Sequence, residues 1–152
     1  MKGKWWKAFS LTVLALATSA LLVAAPIAQE HPSTPHRHPE GERLKNPVSG
    51  TPESVAAGAK TYARYCAVCH GTTGHGDGKA AAAMAAYNGA YAADLTDGIW
   101  QHGSSDGEIY LSIRDGIGPG FVMDSWKDKI SDDEIWNLVN FVKTLDPQRK
   151  SA

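Results

Sequence analysis

The sequence predicts an all-α fold, and three observations carry that prediction. Two Ser-x-x-Glu capping boxes, at Ser105/Glu108 and Ser131/Glu134, each open a run with helical spacing of apolar residues. Thr51-Pro52 supplies a third helix start, with a capping hydroxyl and a proline at the first helical position. No sustained strand alternation or internal repeat is visible, which disfavours a βαβ architecture.

Taken in order, the first 28 residues carry Lys2, Lys4 and Lys7 ahead of an apolar run from about Phe9 to Ala25. This is the pattern of a secretory signal. Val23-Ala24-Ala25 offers small residues for cleavage but is followed by Pro26. A retained anchor is the alternative, because Ala8 to Ala28 approaches the roughly 20 residues of a membrane helix and Trp5-Trp6 suits a lipid interface. Residues 29–50 are dense in Pro, His and charge, with His31, His36 and His38 among them. With few apolar residues to build a core, the expectation is a disordered or extended linker. Close-spaced imidazoles can chelate a metal ion, but no cysteine or carboxylate geometry completes a site, so a solvated spacer is the simpler reading.

From Thr51 the chain becomes periodic. Val55, Ala59, Tyr62 and Ala63 recur on one helical face as far as Cys66. Lys79 to Asn88 is alanine-rich and helical by propensity. The helix opened by Ser105 stops at Gly116. After Ser131, one face carries Ile135, Leu138, Val139, Phe141, Val142 and Leu145 until Asp146-Pro147 ends the helix. Residues 51–146 thus form the one domain, and 147–152 are a C-terminal tail.

Charge removes one class of function. Beyond residue 28 there are 12 basic and 16 acidic residues, a net of −4, and Thr51 to Asp146 holds 7 basic and 13 acidic, a net of −6. Nucleic-acid binding needs clustered Lys and Arg to displace phosphate counterions, so no nucleic-acid partner is expected.

The most specific feature is Cys66-Ala67-Val68-Cys69-His70. Two thiols at this spacing reach the two vinyl groups along one porphyrin edge, and the next residue swings its imidazole beneath the iron. Export would also permit a disulfide between the only two cysteines. A thioredoxin-like dithiol would need a preceding strand, whereas an amphipathic helix leads into this motif. The reading is one covalent haem c on Cys66 and Cys69, with His70 as an iron ligand.

The sixth iron position needs a second ligand. Met84 lies in the alanine-rich helix only 14 residues after His70 and suits flexible packing. Met123 is better placed, after the loop Gly116-Ile117-Gly118-Pro119-Gly120-Phe121 and ahead of the last helix. A methionine thioether would raise the reduction potential. His102 or an open position are the competing ligations. Trp100, Tyr87 and Arg114 are candidate donors to the haem propionates.

On these residues the segment from about Thr51 to Leu145 resembles a class I c-type cytochrome, of the bacterial monohaem kind also found as a domain of respiratory complexes and periplasmic dehydrogenases. The resemblance implies a cytochrome c-like fold, with N- and C-terminal helices crossed around one covalently bound haem. Gly58 and Tyr62 match the first partner in that crossing, Leu138 and Phe141 the second. Gly71-Thr72-Thr73-Gly74-His75-Gly76-Asp77-Gly78 is similar to the glycine-rich segment that follows the motif in many members. By resemblance Met123 is the axial ligand. Two departures stand out: Asp124 follows Met123 where the family often has proline, and no proline lies between His70 and Pro119. In the family such a proline's carbonyl holds the proximal imidazole; here another backbone carbonyl must do so.

The functional expectation is a periplasmic one-electron carrier, exported and either free or held at the inner membrane by its N-terminal segment. Its partners would be redox proteins, a dehydrogenase donor and an oxidase or reductase acceptor, docking through a basic or apolar face. The alternative is the haem-bearing electron-transfer subunit of a larger respiratory or dehydrogenase complex. No partnered nucleophile is apparent, so the chain is not expected to be an enzyme by itself. An open-faced haem bundle that senses gas is disfavoured, since that fold puts its motif near the C-terminus and 82 residues follow His70 here.

Overall fold

The computed structural model describes residues 34–118 and 122–146, arranged as six helices. These are α1 (Pro39–Arg43), α2 (Pro52–Tyr65), α3 (Ala67–His70), α4 (Ala81–Asn88), α5 (Asp106–Asp115) and α6 (Asp132–Leu145). Among the described residues there is no strand, only an isolated antiparallel bridge between Ile117 and Met123. No helix among them is long and apolar enough to cross a membrane. The expected signal or anchor (1–28) and the tail (147–152) lie outside the described residues.

The starts of α2, α5 and α6 follow from their caps. Thr51 Oγ1 accepts from Ser54 N–H at 3.3 Å, with Pro52 opening α2. Both capping boxes form: Ser105 and Glu108 open α5, and Ser131 and Glu134 open α6. Three acidic residues in the first turn of α6, Asp132, Asp133 and Glu134, also complement the positive end of its dipole.

The principal packing is α2 across α6. The buried positions of α2 are Ser54, Gly58 and Tyr62, spaced by four. This face is rotated from the one expected on hydrophobicity: Val55 and Ala59 are half-buried and Ala63 is exposed, because the closest approach to α6 is at Gly58. A Cβ at Gly58 would lie 2.1 Å from the Asn137 carbonyl oxygen and 2.8 Å from Phe141 Cβ, so only glycine lets the backbones meet. Tyr62 then packs on Phe141 with ring centroids 5.1 Å apart. Around this seam α6 buries Ile135, Trp136, Leu138, Val139 and Val142, and Trp136 stacks on Tyr110 of α5 at 4.0 Å.

Residues 34–50 depart from the extended linker expected of their composition. They carry α1 and lie as a strap over α5 and α6. Gly41 makes this contact possible, since a Cβ there would sit 2.9 Å from Glu108 Cα. Glu108 is fully buried beneath the strap: Ser105 N–H and Oγ–H donate to its Oε2 at 3.0 and 2.8 Å, and Arg37 Nε pairs with its Oε1 at 3.0 Å. Burial alone would push its carboxyl up, but the Ser105 and His38 hydrogen bonds and Arg37 together outweigh this and hold it below the usual carboxylate range. Further along, Asn140 of α6 accepts from Asn46 Nδ2 at 2.9 Å and donates to Ser54 Oγ at 2.8 Å and Val48 O at 3.1 Å. One buried amide therefore ties the strap to both crossing helices.

Three imidazoles gather where the strap meets the loop before α5. His36 Nε2 is 2.9 Å from His38 Nε2, and His36 Nδ1 is 3.3 Å from His102 Nδ1. His31, which also figured in the sequence pattern, lies outside the described residues. His102, weighed as an iron ligand, is thus turned toward the strap.

Candidate haem site

Helix α2 ends by handing its last turn to the motif. Cys66 closes α2, its N–H donating to Tyr62 O at 2.8 Å, and its own carbonyl then accepts from Cys69 and His70 at 3.1 and 2.9 Å. Cys66, Cys69 and His70 therefore sit on one turn of chain, with the two sulfurs unjoined and both cysteines half-buried. Burial, reinforced by Cys69, pushes the Cys66 thiol up to about 12. It is held as a neutral thiol, which suits no thiolate nucleophile.

The chain turns sharply after His70 at Gly71, whose φ is +78°. Tyr62 Oη donates to the Gly71 carbonyl at 2.8 Å, so the buried α2 tyrosine anchors the turn as well as the crossing. The glycine loop then folds back over α3: Gly76 N–H donates to His70 O at 2.9 Å, Gly78 N–H to Cys69 O at 3.0 Å, and Ala80 N–H to Val68 O at 2.8 Å. A Cβ at Gly78 would lie 2.4 Å from Val68 O, so this return also requires glycine.

His70 Nδ1 donates to the Ala93 carbonyl at 3.0 Å. This is the backbone acceptor that the missing proline left unassigned, and it comes from a residue whose side chain gives no hint of the role. Burial lowers the His70 pKa below the ordinary imidazole value, and the Ala93 bond opposes that shift. The ring is accordingly neutral, with its proton on Nδ1 and a lone pair on Nε2, as an iron-ligating histidine requires. A neutral imidazole held by its far nitrogen, beside two unpaired thiols on the same turn, fits a c-type haem.

Met123 is half-buried against the core edge and pairs with Ile117 through two backbone bonds of 2.8 Å each. That bridge pinches the base of the loop following Gly116, where a Cβ would lie 2.6 Å from Met123 O. Asp124, in the place of the family proline, pairs with Lys129 at 2.8 Å. Met84 is half-buried on α4, which among the described residues packs against α3 and no other helix. Of the candidate propionate donors, Trp100 Nε1 donates to Asp146 at 3.1 Å, Arg114 pairs with Asp115 at 2.9 Å, and Tyr87 is exposed on α4.

Residues 53–142, from α2 into α6, match the family described as cytochrome c oxidase, cbb3-type, subunit III. The chain belongs to this family. As a c-type cytochrome domain it carries covalent haem c with iron, and its helical architecture is consistent with the cytochrome c-like fold. Among its relatives are the cbb3-type cytochrome c oxidase subunit FixP of Azorhizobium caulinodans, 31% identical over 102 residues, and the subunit CcoP of Rhodobacter capsulatus, 33% identical over 108 residues. These alignments cover 67% and 64% of this chain but 31% and 32% of the relatives. The cytochrome chain thus spans about a third of the length of the curated relatives it matches. Among solved structures, a chain of the Kuenenia stuttgartiensis reducing HAO-like protein complex matches with a TM-score of 0.57 and 30% identity, over 68% of this chain and 49% of that one.

Proposed function

We propose that this cytochrome domain passes single electrons as the haem-bearing part of a larger respiratory assembly on the periplasmic side of the membrane. One haem c would be held by thioether bonds to Cys66 and Cys69, with His70 and Met123 as the residues that would ligate its iron. The bound group supplies a one-electron ferric/ferrous couple. The protein's own residues would position that couple: Cys66 and Cys69 would tether it at the end of α2, His70 offers Nε2 while Ala93 holds the opposite nitrogen, and Met123 would supply a thioether from beside its bridge to Ile117.

The observation that carries the reading is the match of residues 53–142 to an oxidase-subunit family. FixP and CcoP are named as oxidase subunits, which favours a docked subunit over the freely diffusing carrier that the sequence first suggested. With a net charge of −6 from Thr51 to Asp146, the fitting partner surface is basic or apolar.

Native electrophoresis of membranes solubilised in mild detergent tests the assignment. The covalent haem of this chain should co-migrate with an oxygen-consuming complex and stay with it through gel filtration. Elution of the haem protein alone, at its monomer size, with the complex fully active in its absence, would contradict it.

A further inference from the structure

The Ala93 carbonyl that receives the His70 proton belongs to a non-proline segment, so something other than a pyrrolidine ring must hold it. The surrounding bonds show what does. Asp94 Oδ1 accepts from both Thr96 N–H at 2.8 Å and Thr96 Oγ–H at 2.6 Å, forming a tight turn just after Ala93. His75 Nδ1 lies 3.0 Å from Thr96 Oγ1 and 3.4 Å from Asp94 Oδ2, joining the turn to the glycine loop. Leu95 N–H donates to Gly74 O at 2.7 Å in the same direction. Gly76, at φ +73°, comes so near that a Cβ there would lie 2.4 Å from Ala92 O.

These contacts close a ring. The chain leaves His70 through Gly71 to His75, crosses by side chain to Thr96 and Asp94, and returns through Ala93 to His70 Nδ1. We propose that Asp94, with Thr96 and His75, forms a positioning clamp that sets the Ala93 carbonyl on the His70 ring and thereby tunes the electron-donor strength of that imidazole. The inference rests on His70 as an iron ligand. The Thr96 hydroxyl and backbone N–H hold the Asp94 carboxyl below its usual range, and His75 adds to this, so Asp94 is a carboxylate at neutral pH. A well-aligned carbonyl on Nδ1–H makes the ring more basic and favours the more positive ferric state. Loosening the clamp should therefore raise the reduction potential.

The test is a spectroelectrochemical titration of the haem-loaded protein, with thermal unfolding measured on the same samples. Asp94→Ala and Thr96→Val should each shift the midpoint potential upward, while Thr96→Ser, which keeps the hydroxyl, should return it to the wild-type value. Potentials unchanged in both Asp94→Ala and Thr96→Val would overturn the clamp, whatever their melting temperatures. If Asp94→Ala does not fold, the Thr96→Val and Thr96→Ser pair decides alone. A His70→Ala control separates the two levels: a wild-type spectrum in that variant would overturn the ligand assignment itself, whereas a lost spectrum with insensitive clamp variants would overturn only the clamp.

Discussion

Replacing Gly58 by alanine sets two physical effects of opposite sign against each other. In a helix interior alanine is favoured over glycine by about 1 kcal/mol, so propensity alone makes the variant more stable. The crossing opposes this, because the new Cβ would lie 2.1 Å from Asn137 O and 2.6 Å from its carbonyl carbon, both backbone atoms of α6. Ordinary contact begins near 3.4 Å, so the helices must separate by roughly 1 Å, a loss of close packing of the kind that costs about 1–3 kcal/mol or more. That separation would loosen Tyr62 and Leu138, which are 2% and 1% exposed. Because the obstructing atoms are backbone, the cost falls toward the upper end of that range, and the net expectation is a loss of about 1–2 kcal/mol, or a fall in Tm on the order of 5–15 °C for a domain of this size. Far-UV circular dichroism melts of the haem-loaded protein measure it, with Ala56→Gly on the exposed side of α2 as a pure propensity control. A Tm for Gly58→Ala at or above wild type would refute the close crossing.

Met123→Ala should abolish the weak near-infrared sulfur-to-iron band of the oxidised protein and lower its potential, with Met84→Ala leaving both intact; an unchanged band in Met123→Ala would reassign the ligand. Asn140→Ala removes the amide that bonds Asn46, Ser54 and Val48, and should cost about 1–3 kcal/mol in urea unfolding, with strap amides exchanging faster. Burial, then the nearby His36 and His38, hold His102 below the ordinary imidazole value of 6.5. A base depressed in the folded state contributes stability that is full above 6.5 and is lost as pH falls below it, toward the folded value. Among the described residues, Glu40 pairs with His38 beside this cluster, and neighbouring Arg37 pairs with Glu42 and Glu108. Hydrogen exchange of residues 34–44 should therefore open on acidification from pH 8 to pH 5, once corrected for intrinsic rates, and equal protection at both values would contradict this.

Much of the fold was legible because local chemistry decided it. Ser105/Glu108 and Ser131/Glu134 form the capping boxes their spacing announces, and the α6 stripe from Ile135 to Val142 is the buried one. The motif at Cys66 was legible for the same reason, since all its chemistry lies within five consecutive residues. What escaped reading depends on contacts distant in sequence. The strap has a linker's composition, and its order comes from Gly41 fitting against Glu108 and from Asn46 meeting Asn140, partners 94 residues apart. Glu108 reads as an ordinary cap, and nothing local says that Arg37 will cover it. Ala93 acts through its carbonyl, which every residue possesses, so only the absence of a proline signalled that some such acceptor had to exist.

Cys66 and Cys69 are proposed to carry one haem through thioether bonds. Intact-mass spectrometry of the exported protein after acid-acetone extraction tests it most directly, read beside a pyridine haemochrome spectrum. Thioether attachment predicts a mass increased by one haem that survives extraction in the wild type and is lost in the Cys66→Ala, Cys69→Ala double variant. A wild-type protein that releases its haem to the solvent, or whose two cysteines are recovered as a disulfide, would contradict it.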